Sequence, residues 1–192
     1  MDNNELNLYL VVVGGRIPKA NIEVHDVRWV IGSKIEDTYD ILRKDWFGDI
    51  DGLHIDSYKK IYSVDGYKIK IKKSQINKSA INLIKKVKNT KKLWFINLGG
   101  YHPKSMQEKH EFGLVVASTA SDAKKMAKSK WLNSFLKKHN DDINCLQRFS
   151  DVDDCRLIKH INDWEIELIP ENIKYEQTNY PDWFGFLRID NK

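Results

Sequence analysis

A glutamate and a histidine two positions apart occur twice in this 192-residue chain, as Glu23-x-His25 and Glu108-x-His110. Each pair follows a double glycine, Gly14-Gly15 and Gly99-Gly100, and each precedes a His-x-Asp, His54-x-Asp56 and His139-x-Asp141. An imidazole beside a carboxylate is the raw material of acid–base chemistry and of metal ligation. Two imidazoles with two carboxylates suit zinc, manganese or non-haem iron. The spacing matches no metal motif such as His-Glu-x-x-His, so the sequence assigns no metal and no other cofactor. No serine or cysteine stands in a nucleophile-elbow context either.

These residues need elements to hold them. On a strand, positions two apart share a face. From Glu23 and His25 that face continues through Val27, Trp29 and Ile31, and from Glu108 and His110 through Phe112, Leu114 and Val116. The opposite face in the first copy carries Asp26 and Arg28. Both pairs are thus expected on the inward, apolar side of a strand beside the glycine loop, where polar groups require partners. The favoured account is structural: the glutamate accepts N–H bonds from the loop and the histidine donates to the glutamate. A pocket of acid–base groups or metal ligands is the alternative. The His-x-Asp pairs are expected in loops, so only a chain that folds back joins them to Glu-x-His.

The recurrence has a larger cause. Residues 8–47 lie over residues 93–132 at a constant offset of 85, with eleven identities in 40 positions. These include Pro18/Pro103, Ser33/Ser118, Asp37/Asp122 and Trp46/Trp131. His54/His139 and Asp56/Asp141 extend the same offset; the register then breaks and resumes with Asp65-Gly66-Tyr67 over Asn162-Asp163-Trp164. Self-similarity of this kind marks a duplicated structural unit.

One unit reads as follows. Leu8–Val13 is a continuous apolar, β-branched run and so a buried strand, ended by Gly14-Gly15 where the backbone needs positive φ or close approach. A second strand spans about Glu23–Ile31. Ser33-x-x-Glu36 is a capping box that opens a helix, with Ile35, Tyr39, Leu42 and Trp46 on one face. Ala120, Ala123, Ala127 and Trp131 repeat that face in the second copy, with Ser118 as its cap. Lys60–Val64 and Tyr67–Lys72 form a hairpin about Asp65-Gly66, a strong type I′ turn signal. The expected fold is α+β: two tandem ββαββ repeats, pseudo-two-fold, with largely antiparallel sheets, one main helix per repeat and a connector helix. The segments are 8–73, 74–92 for the connector, 93–169, and 170–192 for an aromatic-rich C-terminal stretch in which Trp183–Ile189 reads as one more strand, covering a sheet edge or a groove between the modules, with a self-association surface as the second reading.

The pattern Gly-Gly-x-x-Pro, Glu-x-His, Trp and His-x-Asp resembles a bacterial family, domain of unknown function 1543, found in one or two copies per chain. The resemblance spans residues 8–71 and 93–168 and is most specific over Gly14–His25. It implies a tandem repeat and carries no activity with it.

Charge bounds the partners. The net charge is +5, with 26 lysines against 6 arginines, and ten of those lysines fall in residues 66–92, where there is no acid. Lys85, Lys86, Lys88, Lys91 and Lys92 form its basic patch, a possible surface for RNA, DNA or an acidic partner. Aromatic residues are sparse there, arginine is scarce, and an ordinary solvated face accounts for it better. Cys145 and Cys155 form neither a disulfide framework nor a zinc knuckle, and no run is long enough to span a membrane. The expectation is a cytoplasmic, non-enzymatic binding or regulatory protein with a protein or small-molecule partner and no set oligomeric state. A metal-assisted or acid–base hydrolase using the Glu-x-His pairs is the first alternative, and nucleic-acid binding through the lysines the second.

Overall fold

In the computed structural model, residues 5–74, 90–100, 105–138, 151–171 and 180–191 are described. The chain divides into two compact units: Met1–Lys73 with Ile161–Lys192, and Ser74–His160. No helix among the described residues is long and apolar enough to cross a membrane.

The first unit contains two sheets. β1 (Asn7–Gly15), β2 (Val24–Gly32) and β3 (His54–Ile61) are joined by a C-terminal strand, β11 (Trp183–Arg188), in the order β11-β3-β1-β2. The second sheet has the order β4-β5-β10-β9, from β4 (Ser63–Val64), β5 (Tyr67–Lys73), β9 (His160–Ile161) and β10 (Trp164–Pro170). The second unit is a three-stranded sheet, β7-β6-β8, of β6 (Lys92–Gly100), β7 (Lys109–Ala117) and β8 (Asp151–Ile158), with helix α2 (Ala120–Lys138).

The two ββαββ repeats expected from sequence are therefore not what forms. The fold is mostly antiparallel sheet in three separate sheets. The first copy has no main helix, only a 3-10 turn (Ile35–Thr38) running into the seven-residue α1 (Tyr39–Asp45). The last strands of the two copies leave their own sheets and pair with each other. In the β5–β10 ladder Lys72 stands opposite Glu165 and Lys70 opposite Glu167, and Lys72 Nζ lies 2.6 Å from a Glu167 carboxylate oxygen. A lone two-stranded hairpin is marginal, and opposite charges across the ladder favour this partner. The hairpin signal is local, whereas the choice of a third strand is not.

The turn itself forms as its residues dictate. Asp65 and Gly66 have φ of 54° and 81°, the left-handed pair of a type I′ turn, with Val64 opposite Tyr67. The caps sit one residue away from the expected ones. The Asp37 carboxylate accepts the backbone N–H of Ser33 and of Lys34 at 3.1 Å each, and Glu36 plays no such part. In the second copy Thr119, not Ser118, accepts the Asp122 N–H at 3.1 Å. The apolar faces are as read: Ile35, Leu42 and Trp46 pack on Tyr9, Val11, Val13 and Val30, and Ala123, Ala127 and Trp131 pack on Trp94, Ile96, Leu98 and Val115.

The register of β1 on β2 overturns one inference about facing. Val11 is opposite Arg28 and Val13 opposite Asp26, so the face covered by α1 carries Asp26 and Arg28, ion-paired at 2.6 Å. His25 is opposite Gly14 and shares the other face with Val27, Trp29 and Ile31. That face is only half-buried at those positions, so Glu-x-His does not begin the helix-covered core.

Candidate functional site

Gly14 is the floor of the site. A Cβ there would stand 2.6 Å from His54 Nε2 and 2.8 Å from His25 Cδ2. Gly15 points to the other face, where a Cβ would meet the Trp46 ring at 3.0 Å. The double glycine thus serves close approach on both faces of β1 in turn, and neither residue has positive φ.

Two strands bring the polar residues over that floor. β2 supplies His25, with Glu23 just ahead of it, and β3 supplies His54 and Asp56. The His-x-Asp pair is on a strand and not in the expected loop. A bulge in the β1–β3 ladder at Val12/Val13 interrupts the pairing beside Asp56. The Asp56 carboxylate reaches both imidazoles, 3.0 Å from His25 Nε2 and 3.2 Å from His54 Nε2. A Glu23 oxygen lies 3.9 Å from His54 Nε2. The ligand atoms of Glu23, His25 and His54 all fall within 4.8 Å of one another, the one such cluster among the described residues.

His54 anchors this group. Its side chain is 1% exposed, against 50% for His25 and 40% for Glu23. Nδ1 lies 2.8 Å from the Gly52 carbonyl oxygen, which can only accept, so Nδ1 carries the proton. Nε2 then faces the Asp56 and Glu23 oxygens. A metal ion between them would meet one ring nitrogen and two carboxylate oxygens. A backbone carbonyl fixing one ring nitrogen while the other points inward is the usual arrangement around metal-ligating histidines.

β11 closes the remaining side. Its ladder on β3 shifts between Phe184 and Leu187, and the Phe186 ring packs on the His54 imidazole with centroids 4.1 Å apart. Asp190 accepts the Gly52 N–H at 2.8 Å, on the residue whose carbonyl holds His54. Arg188 Nε donates to Asp190 at 3.0 Å. Arg188, then the Gly52 N–H, pull the Asp190 carboxyl down to about 2. The sequence marked the C-terminal strand and its edge-covering place, but gave no sign that Phe186 and Asp190 reach the site, because both act through non-local contacts.

The second copy is not equivalent. His110 Nε2 is 3.8 Å from Glu108, and the Asn97 amide nitrogen lies 3.3 Å from His110 Nδ1. On β6 Asn97 stands where β1 has Val12. Gly14 is opposite His54, but Gly99 is opposite Asp151. The offset is thus 97 by this point, and Asp151 holds the ladder position that His54 has in the first copy. His139 and Asp141 lie outside the described residues, as do Lys85, Lys86, Lys88 and most of the connector; Lys91 and Lys92 are exposed.

The family profile described as Domain of Unknown Function (DUF1543) matches the chain twice, over residues 20–71 and 105–157. Both Glu-x-His pairs and His54-x-Asp56 lie inside the matches, while Gly14, Phe186 and Asp190 lie outside. No curated protein matches. Among solved structures the chain is similar to protein Il1583 from Idiomarina loihiensis, with 31% identity and a TM-score of 0.69 over 96% of this chain and 99% of that one. With two matches that together cover more than half of its length, this chain belongs to the DUF1543 family and carries two tandem copies of its domain.

Proposed function

We propose that the first copy holds a divalent transition-metal ion between Glu23, His25 and His54, with Asp56 as a further oxygen donor or as the acceptor for a proton from metal-bound water. The observation that carries this reading is the buried His54, whose Nδ1 is tied to Gly52 and whose Nε2 faces two carboxylates and a second imidazole. Mixed imidazole and carboxylate donors favour zinc, manganese or iron. Ligand atoms around a tetrahedral ion with bonds of about 2 Å stand about 3.3 Å apart. Glu23 and His25 are exposed enough to close the present spacing. Their exposure also leaves one side of the centre open to solvent, the mark of a metal that binds or activates a ligand rather than one that only holds the fold.

This reading takes the place of the purely structural role that the sequence favoured for Glu-x-His. The lysine patch adds no observation of its own, since Lys85, Lys86 and Lys88 lie outside the described residues and Lys91 and Lys92 are exposed.

Protein purified without a histidine tag, stripped with chelator and titrated with zinc, manganese and cobalt, tests the proposal. The expected result is about one ion per chain, lost in His54→Ala and weakened at least tenfold in Glu23→Gln. Failure of the stripped protein to take up any of the three ions would overturn the reading and leave a hydrogen-bonded polar cluster on Asp56.

A further inference from the structure

Two contacts from β11 and the residues after it seat His54 independently of each other. The Phe186 ring lies against the imidazole face at 4.1 Å, with an interplanar angle of 34°. The second contact runs through the backbone. Asp190 accepts the Gly52 N–H at 2.8 Å, Gly52 has a left-handed φ of 81°, and the Gly52 carbonyl takes the His54 Nδ1 proton at 2.8 Å. Asp190 is held in turn by Arg188, which also reaches Asp51 at 3.2 Å. Ile189, between them, is 1% exposed and its N–H bonds to the Leu53 carbonyl at 3.0 Å. Arg43 clamps the Ile189 carbonyl at 2.6 Å. Nothing in this arrangement is a loose tail.

We infer that Asp190 and Phe186 are positioning residues of the metal centre, Asp190 fixing the Gly52 carbonyl that holds His54 Nδ1 and Phe186 setting the tilt of its ring. The inference rests on the metal reading for its consequence, while its geometric part stands alone. The centre is then a property of the first copy plus the C-terminal strand. Residues 20–71, the family-matched segment, supply the polar side chains but neither the Gly14 floor nor this support. Outer partners of ligating histidines ordinarily govern affinity by about 10–100-fold. Ligand binding and docking of β11 are also linked reciprocally: whatever β11 adds to metal affinity, the metal returns to the docking of β11.

The test uses full-length variants and cobalt(II) as probe. Asp190→Ala and Phe186→Ala are expected to weaken cobalt binding at least tenfold and to alter its visible absorption. Asp190→Asn, which keeps an oxygen acceptor for the Gly52 N–H, should recover most of the affinity. In metal-free protein, ¹H–¹⁵N spectra of the imidazoles should show a slowly exchanging, hydrogen-bonded His54 Nδ1–H, and faster exchange of that proton in Asp190→Ala. Unchanged affinity, spectrum and Nδ1–H exchange in both alanine variants, even with a lowered melting temperature, would overturn the inference. Should Asp190→Ala not fold, Phe186→Ala decides, since that ring is 64% exposed and its removal leaves the core intact. A wild-type protein that takes up no cobalt defeats the metal reading, and the exchange of the His54 Nδ1 proton then still decides the positioning roles.

Discussion

Gly14 and His54 are in direct contact across the β1–β3 ladder, with no room between them for a methyl group: a Cβ on Gly14 would sit 2.6 Å from the ring nitrogen Nε2. Gly14→Ala should therefore lift both imidazoles off the sheet. We expect metal uptake to fall at least tenfold with only a modest loss of stability, about 1–3 kcal/mol for overpacking. Calorimetric titration and denaturant melts of the same preparation separate the two effects.

Gly15→Ala is the matched control on the opposite face. The added methyl meets the Trp46 ring at 3.0 Å, inside the apolar core. Stability should drop by a similar about 1–3 kcal/mol while metal affinity is retained. Trp46→Ala should cost more, about 3–5 kcal/mol, since it leaves a cavity under β1. An affinity loss in Gly15→Ala equal to that in Gly14→Ala would remove the distinction between the faces.

Both outcomes bear on how far the residues alone could be read. The duplication, the strand ended by Gly14-Gly15, the Asp65-Gly66 turn, the Trp46 and Trp131 core positions and the final strand are all local patterns, and each forms. What misled was partner choice. Ser33-x-x-Glu36 has the spacing of a capping box, yet Asp37 makes the bonds because a 3-10 turn places its carboxylate over Ser33 and Lys34. Val27, Trp29 and Ile31 extend an apolar pattern from Glu23 and His25, whereas the helix lies on the side of Val30. His54-x-Asp56 stands on β3 beside Glu23 and His25 and not in a loop; its expected counterpart His139-x-Asp141 lies outside the described residues, while Asp151 is the ladder partner of Gly99. No local signal distinguishes those registers; only the ladder partner of Gly99 does.

Metal should bind at one site per chain. Zinc at a hundred times its dissociation constant is expected to stabilise the folded protein by up to about 2.7 kcal/mol, less whatever the unfolded chain binds. Glu108→Gln with His110→Ala should leave both the stoichiometry and this stabilisation unchanged. Thermal melts with and without zinc, alongside elemental analysis, check the claim; two equivalents in the wild type and one in the double variant would refute it.

Asp190 predicts an acid dependence of definite sign. Its folded-state carboxyl, at about 2, lies below the ordinary range because Arg188 and the Gly52 N–H favour the ionised form. The contribution is therefore fully present above the usual carboxylate range and is lost as pH falls through about 4 toward 2. The difference in melting temperature between wild type and Asp190→Asn should be flat near neutrality and shrink over that window. A difference that grows on acidification would contradict the assignment.

Glu167→Lys should lower the melting temperature slightly and more so at low salt, because it removes the partner of Lys72 and places a lysine opposite Lys70. A melting temperature independent of salt in both proteins would show that the pair is inert.

The β5–β10 ladder has a meaning beyond the stability of one sheet. These are corresponding strands of a duplicated unit, and duplication begins with two identical edges, each as able to pair with its own kind in another molecule as with its sibling. The ladder is centred on Lys70 and Glu167, which are equivalent positions of the two copies. Two β5 strands meeting in that register would set Lys70 against Lys70 and Lys68 against Lys72; two β10 strands would set Glu167 against Glu167. Only the mixed pairing sets opposite charges against each other, at Lys70/Glu167 and Lys72/Glu165, so divergence of charge between the copies favours each edge's counterpart over its own kind.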